Sequence, residues 1–167
     1  DMYGCQNWDS ISVVVNAPPD VLTSSTGNPI CLGGSAVLTA SGADTYLWLS
    51  LSDTNSTVTV SPTSTTVYDV VGFDAMTGCS DTALITVTVN PVPTATTTSD
   101  TACVGDCADL LVVASGGTPG YTYNWTPSAG LSNPTVANPT ACNTMTVCYT
   151  VTVTDTNGCV ATQTACA

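Results

Sequence analysis

The chain has 167 residues and a formal charge of −12, carried wholly by aspartate because Lys, Arg, His and Glu are all absent. With no cationic side chain to neutralise phosphates, nucleic-acid binding and attraction to anionic membrane surfaces are excluded. Side-chain salt bridges are excluded as well, so stability must rest on burial, backbone pairing and cross-links.

Those cross-links are on the page as nine cysteines. They include no C-x-x-C pair and have no histidine beside them, so zinc is a poor reading and no metal ligand is named. Disulfides in an extracellular or cell-surface setting are the expectation. No leader-like segment or bilayer-length apolar run is present, which predicts no membrane insertion and either a mature secreted form or a piece of a longer polypeptide.

Taken in order, the chain opens with DMYGCQNWDSISVVVNAPP, which aligns without a gap on DAMTGCSDTALITVTVNPVP at 74–93. Cys5 falls on Cys79, Ile11 on Ile85, Val13 on Val87, Val15 on Val89 and Asn16 on Asn90. In the later copy these residues close a unit, so residues 1–16 read as a closing strand separated from its sandwich. Residues 17–90 form the first complete unit and 91–167 the second.

Each unit carries the same landmarks: PICLGGSAVLTASG against TACVGDCADLLVVASGG, TYLW against YTYNW, and TTVYDV against VCYTVTVTD. Cys31 matches Cys103, Trp48 matches Trp125, Tyr68 matches Tyr149, and Cys79 matches Cys159. A period of roughly 75–80 residues suits a small sandwich better than a solenoid repeat. Alternation of β-branched residues with polar ones predicts half-buried antiparallel strands and no helix. Tyr149, Val151 and Val153 should face inward, with Trp48 and Trp125 at the two cores. The proline- and threonine-rich stretches 17–22 and 91–99 read as linkers, and ATQTACA as a weak last strand that leaves the second unit poorly closed.

The IC-x-G and later TGC or NGC motifs, the TTVYDV and VCYTVTVTD strands and the VTVNPVP junction resemble the immunoglobulin-like and PKD-like repeat modules of Bacteroidota cell-surface proteins, including gliding-motility adhesins. The resemblance implies an all-β chain of two tandem immunoglobulin-like sandwiches. It also implies the bridges Cys31–Cys79 and Cys103–Cys159, each closing about fifty residues and stabilising by about 2–4 kcal/mol. Cys107, Cys142, Cys148 and Cys166 allow three pairings, among which the sequence does not choose. Cys5 is then left over as an inter-chain candidate.

Three fates are open to the first strand: the end of an omitted preceding module, a donor strand inserted into another copy, or an edge strand folded back on its own chain. The polymer reading requires Ile11, Val13 and Val15 to be buried against another molecule; bare to water, or docked wholly within their own chain, they would count against it.

Catalysis finds little material, since only Asp, Cys, Tyr and the termini can exchange protons. Pairs such as Asp106 with Asp109, or Asp74 with Asp81, sit where aspartate commonly caps turns. The expectation is a chain with no catalytic residues, that is, not an enzyme. No cofactor is expected beyond an occasional structural calcium, for which no ligands are named. Covalent glycans are the better expectation: Asn55 and Asn124 match the N-linked pattern. By the same resemblance, Asp followed by Ser10, Thr82 or Thr101 and then an apolar residue matches the O-glycosylation signal of Bacteroidota.

The reading is a structural subunit of an extracellular filament or adhesin stalk, assembled head to tail with other copies of itself. The alternative is a carbohydrate- or surface-binding module excerpted from a longer tandem-repeat adhesin, using aromatics such as Trp8 or Tyr121.

Overall fold

A computed structural model describes residues 9–103 and 105–167. Fifteen strands and no helix are found among them. The first repeat contributes β1 (Leu22–Thr26), β2 (Ile30–Cys31), β3 (Ala36–Ser41), β4 (Thr45–Trp48), β5 (Thr57–Val60), β6 (Thr66–Phe73), β7 (Ser80–Val87) and β8 (Val89–Asn90). The second contributes β9 (Pro93–Thr98), β10 (Ala108–Asp109), β11 (Leu111–Gly116), β12 (Thr122–Thr126), β13 (Thr140–Ala141), β14 (Cys148–Thr154) and β15 (Val160–Cys166).

The larger sheets run β1-β3-β5 and β4-β6-β7 in the first repeat, and β11-β9 and β12-β14-β15 in the second. Period-two patterning decides which side chains face inward. On β14, Tyr149, Val151 and Val153 are wholly buried while Thr150 is exposed. They pack with Trp125, Leu110 and Val112 into the second-repeat core. Each core tryptophan satisfies its indole N–H on a backbone carbonyl, Trp48 on Asn55 at 3.0 Å and Trp125 on Val136 at 2.9 Å. Without that partner, burial of the polar N–H would be costly.

Two expectations are corrected. Residues 91–99 are not a linker, because β9 pairs with β11 from Pro93↔Gly116 to Leu111↔Thr98. Proline is tolerated there because it starts the strand, and the threonines that looked like linker are β-branched strand formers. Nor is the last strand weak. β15 pairs with β14 in seven consecutive registers, Cys148↔Cys166 to Thr154↔Val160. Small residues suffice to bury its inner face, as at Ala165.

The residues gather into two compact units that interleave in sequence. Among the described residues, one takes in 9–24 with Leu38–Val58 and Tyr68–Ile85; the other takes in Ser25–Val37, Thr59–Val67 and the described part of Thr86–Ala167. Cys31 thus belongs to the first repeat by sequence and to the second unit by packing.

Candidate functional site

Two kinds of turn present the cysteines, and each occurs once per repeat. The leading turn holds Cys31 in the first repeat and Cys103 in the second. Gly34 N–H donates to Cys31 O at 2.8 Å, and Asp106 N–H donates to Cys103 O at 2.9 Å. Both turns need a glycine with positive φ, Gly33 at 89° and Gly105 at 101°, a conformation that L side chains rarely adopt. Cys31 is fixed further by the parallel pairing of β2 with β8. There Ile30 N–H donates to Thr88 O and Leu32 N–H to Asn90 O, both at 2.9 Å. The Asn28 side chain holds the same place, donating to Thr86 O at 2.8 Å and accepting from Thr88 N–H at 3.0 Å.

The closing turn precedes the last long strand of each repeat and is organised by an aspartate. Asp74 N–H donates to Cys79 O and Asp155 N–H to Cys159 O, both at 2.9 Å. The carboxylates fold back on the turn. Asp74 Oδ1 accepts from the amides of Met76 at 2.9 Å and Thr77 at 2.8 Å. Asp155 Oδ1 accepts from Asn157 at 2.9 Å and Cys159 at 2.8 Å, while its Oδ2 accepts from Thr118 at 2.9 Å. Asp155 is only 4 % exposed, so backbone N–H groups stand in for the cations that the chain lacks. The Thr118 amide foremost, then those of Cys159, Asn157 and Gly158, pull its carboxyl below the ordinary value against the opposing effect of burial. Asp74 is lowered by the Thr77 amide and hydroxyl, with the Met76 amide adding to them. These aspartates are turn caps engaged with backbone amides, Asp74 with those of its own turn and Asp155 also with Thr118 on another turn.

The disulfides join the turns in a way the resemblance did not imply. Cys31 bonds Cys159, with Cα atoms 5.6 Å apart and 128 positions of sequence between them. The expected Cys31–Cys79 and Cys103–Cys159 bridges are therefore absent. Cys31 and Cys159 lie in one compact unit while Cys79 lies in the other, and Cys159, once bonded, is closed to Cys103. Cys79 and Cys103 are unpaired among the described residues. The four additional cysteines resolve as Cys107–Cys142 and Cys148–Cys166. Cys5 and Trp8 lie outside the described residues.

Ile11, Val13, Val14 and Val15 are 90 %, 76 %, 78 % and 89 % exposed and belong to no strand. This overturns the folded-back edge strand, because the chain does not house the segment itself. These side chains are also bare to water, the outcome that counts against the polymer reading, and no cover for them is seen among the described residues. The segment ends beside an unpaired thiol, with Cys79 Sγ 3.9 Å from Asn16 O. In the other unit a cavity of about 400 Å³ is lined by Ala102, Ala108, Ala141, Met145 and Ala167 among others. Ala102 directly precedes Cys103, the other unpaired thiol. Sequence reasoning missed this cavity, whose lining comes from four separate stretches and whose one motif, Asp100-Thr101-Ala102, was read as a glycosylation signal.

The glycosylation candidates Ser10, Thr82, Thr101, Asn55 and Asn124 are all exposed. Asn55 Nδ2 already donates to Asp53 Oδ1 at 2.7 Å, and Thr101 N–H donates to Asp100 Oδ1 at 2.8 Å. Tyr121 is half-buried against the second-repeat core, its hydroxyl donating to Gly116 O.

Neither a protein-family profile nor a curated protein sequence matches the chain. Among solved structures it is similar to a C-terminal 282-residue fragment of intimin in complex with the intimin-binding domain of the translocated intimin receptor, with TM-score 0.54, 17 % identity and 89 % of this chain covered. The fold is immunoglobulin-like. The chain spans 63 % of that fragment's length. Extracellular domains 3–5 of Drosophila OTK align at TM-score 0.43 and 10 % identity over 87 % of this chain and 61 % of theirs. A titin I-band fragment aligns at 0.40 and 14 % identity over 91 % of this chain and 65 % of its own. Three disulfides mark a chain that matures in an oxidising compartment.

Proposed function

We propose that the chain is a structural, non-catalytic subunit of an extracellular filament or adhesin stalk in which copies join head to tail. The reading turns on the apolar run Ile11, Val13, Val14 and Val15, which is bare in the single chain and counts against assembly unless a second copy covers it. Covering four such side chains is worth about 1.5–3 kcal/mol each. Part of that gain is offset by the cost of association. An exposed apolar run of this kind invites contact with another molecule. The cavity beside Cys103 offers Ala102, Ala108, Ala141, Met145 and Ala167 to an apolar guest, between polar walls that include Asp100, Asp106 and Asn143, and a patch meeting a different patch on the next copy propagates in one direction. Sugars on Thr82, Asn55 or Asn124 belong to this reading as a solubilising coat, as does the division into modules 17–90 and 91–167, whereas Ser10, next to the joining segment, and Thr101, in the cavity wall, must stay bare wherever copies join. The intimin fragment supports the reading through fold alone.

The test is to measure the mass of the full chain in solution by light scattering as concentration rises, beside the variant Val13→Asp/Val15→Asp. The parent should form multimers and the variant should remain monomeric with unchanged melting, since both side chains are already exposed. A parent that stays monomeric throughout, or a variant that assembles equally well, defeats the reading.

A further inference from the structure

Four cysteines occupy two kinds of place: leading turns at Cys31 and Cys103, closing turns at Cys79 and Cys159. One of each kind, Cys31 and Cys159, is bonded. One of each kind, Cys79 and Cys103, is not. The bonded pair follows a rule of order, in which the leading turn of one repeat takes the closing turn of the repeat after it. Within one copy the unpaired cysteines stand in the reverse order, because Cys79 closes the first repeat and Cys103 leads the second. They cannot repeat the staple with each other in the same chain. A second copy placed after the first, however, offers its Cys79 to Cys103 in the order the rule requires.

We propose that Cys103 of one copy forms a disulfide with Cys79 of the next, reproducing between copies the staple that Cys31 and Cys159 make within one. This deepens the head-to-tail reading and rests on it. The turns at both partners match those of the bonded pair, although Cys103 lacks the strand pairing that also fixes Cys31. Cys103 has the Gly105 turn and the Asp106-to-Cys103 hydrogen bond that match those at Cys31. Cys79 has the Asp74 turn that matches the Asp155 turn at Cys159. Cys103 is exposed and Cys79 half-buried, so both can be reached. Each lies beside one half of the apolar joint: the Ile11–Val15 segment ends against Cys79, and the cavity adjoins Cys103. Docking would therefore bring the thiols together.

In the bond-forming step, each Sγ–H gives up its proton and one electron as the Sγ–Sγ bond forms. The two electrons pass to a small-molecule or protein disulfide such as oxidised glutathione. That disulfide is cleaved to two thiols, through a mixed disulfide at one of the cysteines.

The experiment uses the full-length parent, Cys79→Ser and Cys103→Ser, each incubated with oxidised glutathione and resolved without reductant. The parent should give a ladder that collapses on reduction. Neither variant alone should give one, and an equimolar mixture of the two should stop at a single dimer band. Peptide mapping of the parent, cut before aspartate so that Cys79 (74–80), Cys103 (100–105) and Cys107 (106–108) fall on separate peptides, should yield one inter-chain peptide joining residues 79 and 103. A variant that forms covalent dimers with itself, a mixture that yields none, or a linked peptide containing Cys5 overturns the proposal. Light scattering under reductant separates the two readings. Multimers that persist there while no Cys79–Cys103 peptide is found leave head-to-tail assembly standing and remove only the bond.

Discussion

Cys31 and Cys159 are bonded across 128 positions of sequence, whereas Cys148 and Cys166, which close β14 onto β15, are bonded across only 18. In the chain-entropy view, the longer loop restrains the unfolded ensemble more. The difference is about 1–2 kcal/mol in favour of Cys31–Cys159, because the gain grows only with the logarithm of loop length. Replacing both members of each pair by serine and measuring urea midpoints should show Cys31→Ser/Cys159→Ser as the costlier change. Equal costs, or the reverse order, would mean that local packing around β14 and β15 outweighs loop closure.

How much of this was legible in the sequence divides along a physical line. Alternation is a local property, so the inward Tyr149, Val151 and Val153 could be read from VCYTVTVTD alone. The paired tryptophans were readable for the same reason. The Cys31–Cys159 bond was not, because it depends on which turns meet after both repeats have folded, and spacing within one repeat carries no such information. β9 was hidden by Pro93 and its threonines, which suit a linker and a strand edge equally well. The cavity beside Cys103 was beyond reach, since its walls come from stretches distant in sequence, 99–108, 141–146 and 166–167. The exposed Ile11–Val15 run could be recognised as strand-like, but its cover is not supplied by the chain that carries it.

Acid should loosen the closing turns. Asp155 and Asp74 both have pKa values held below the ordinary 3.8 in the folded chain. A carboxylate of depressed pKa stabilises the fold above its unfolded-state value, and that contribution disappears as pH falls through the folded value. The loss therefore belongs below about pH 4. Asp155→Asn retains a carbonyl acceptor but no charge, so it should be less stable than the parent at neutral pH and should lose less on acidification. Urea midpoints followed by tryptophan fluorescence from neutral to acidic pH decide the matter; parallel curves for the two proteins would show that Asp155 is not the titrating group.

Tyr149 offers a test of polar satisfaction inside the second-repeat core. Its hydroxyl donates to Ala129 O at 3.1 Å and accepts from Asn143 Nδ2 at 2.7 Å. Tyr149→Phe removes both bonds while keeping the ring packed, and should cost about 1–3 kcal/mol, because Asn143 and the Ala129 carbonyl lose a partner. Asn143→Ala should cost less, and the double variant should cost less than the sum of the two singles, since they share a bond. Strict additivity in denaturant unfolding would show that the pair acts independently.

The last prediction concerns salt. A chain of charge −12 with no basic side chain has no side-chain attraction for ions to screen, so added salt acts chiefly on repulsion. At low ionic strength the Debye length reaches about 30 Å, long enough for aspartates on separate loops to repel; at physiological salt it shrinks to about 8 Å. Compaction brings those charges closer than they are in the unfolded chain, so screening favours the folded state. Melting temperature should therefore rise from low to physiological sodium chloride and then level off. Monovalent and divalent chlorides matched for ionic strength should give the same rise if screening alone is at work. A larger rise with calcium than with sodium at equal ionic strength would instead mean a bound cation, and a fall in melting temperature with sodium chloride would contradict the electrostatic account of this fold.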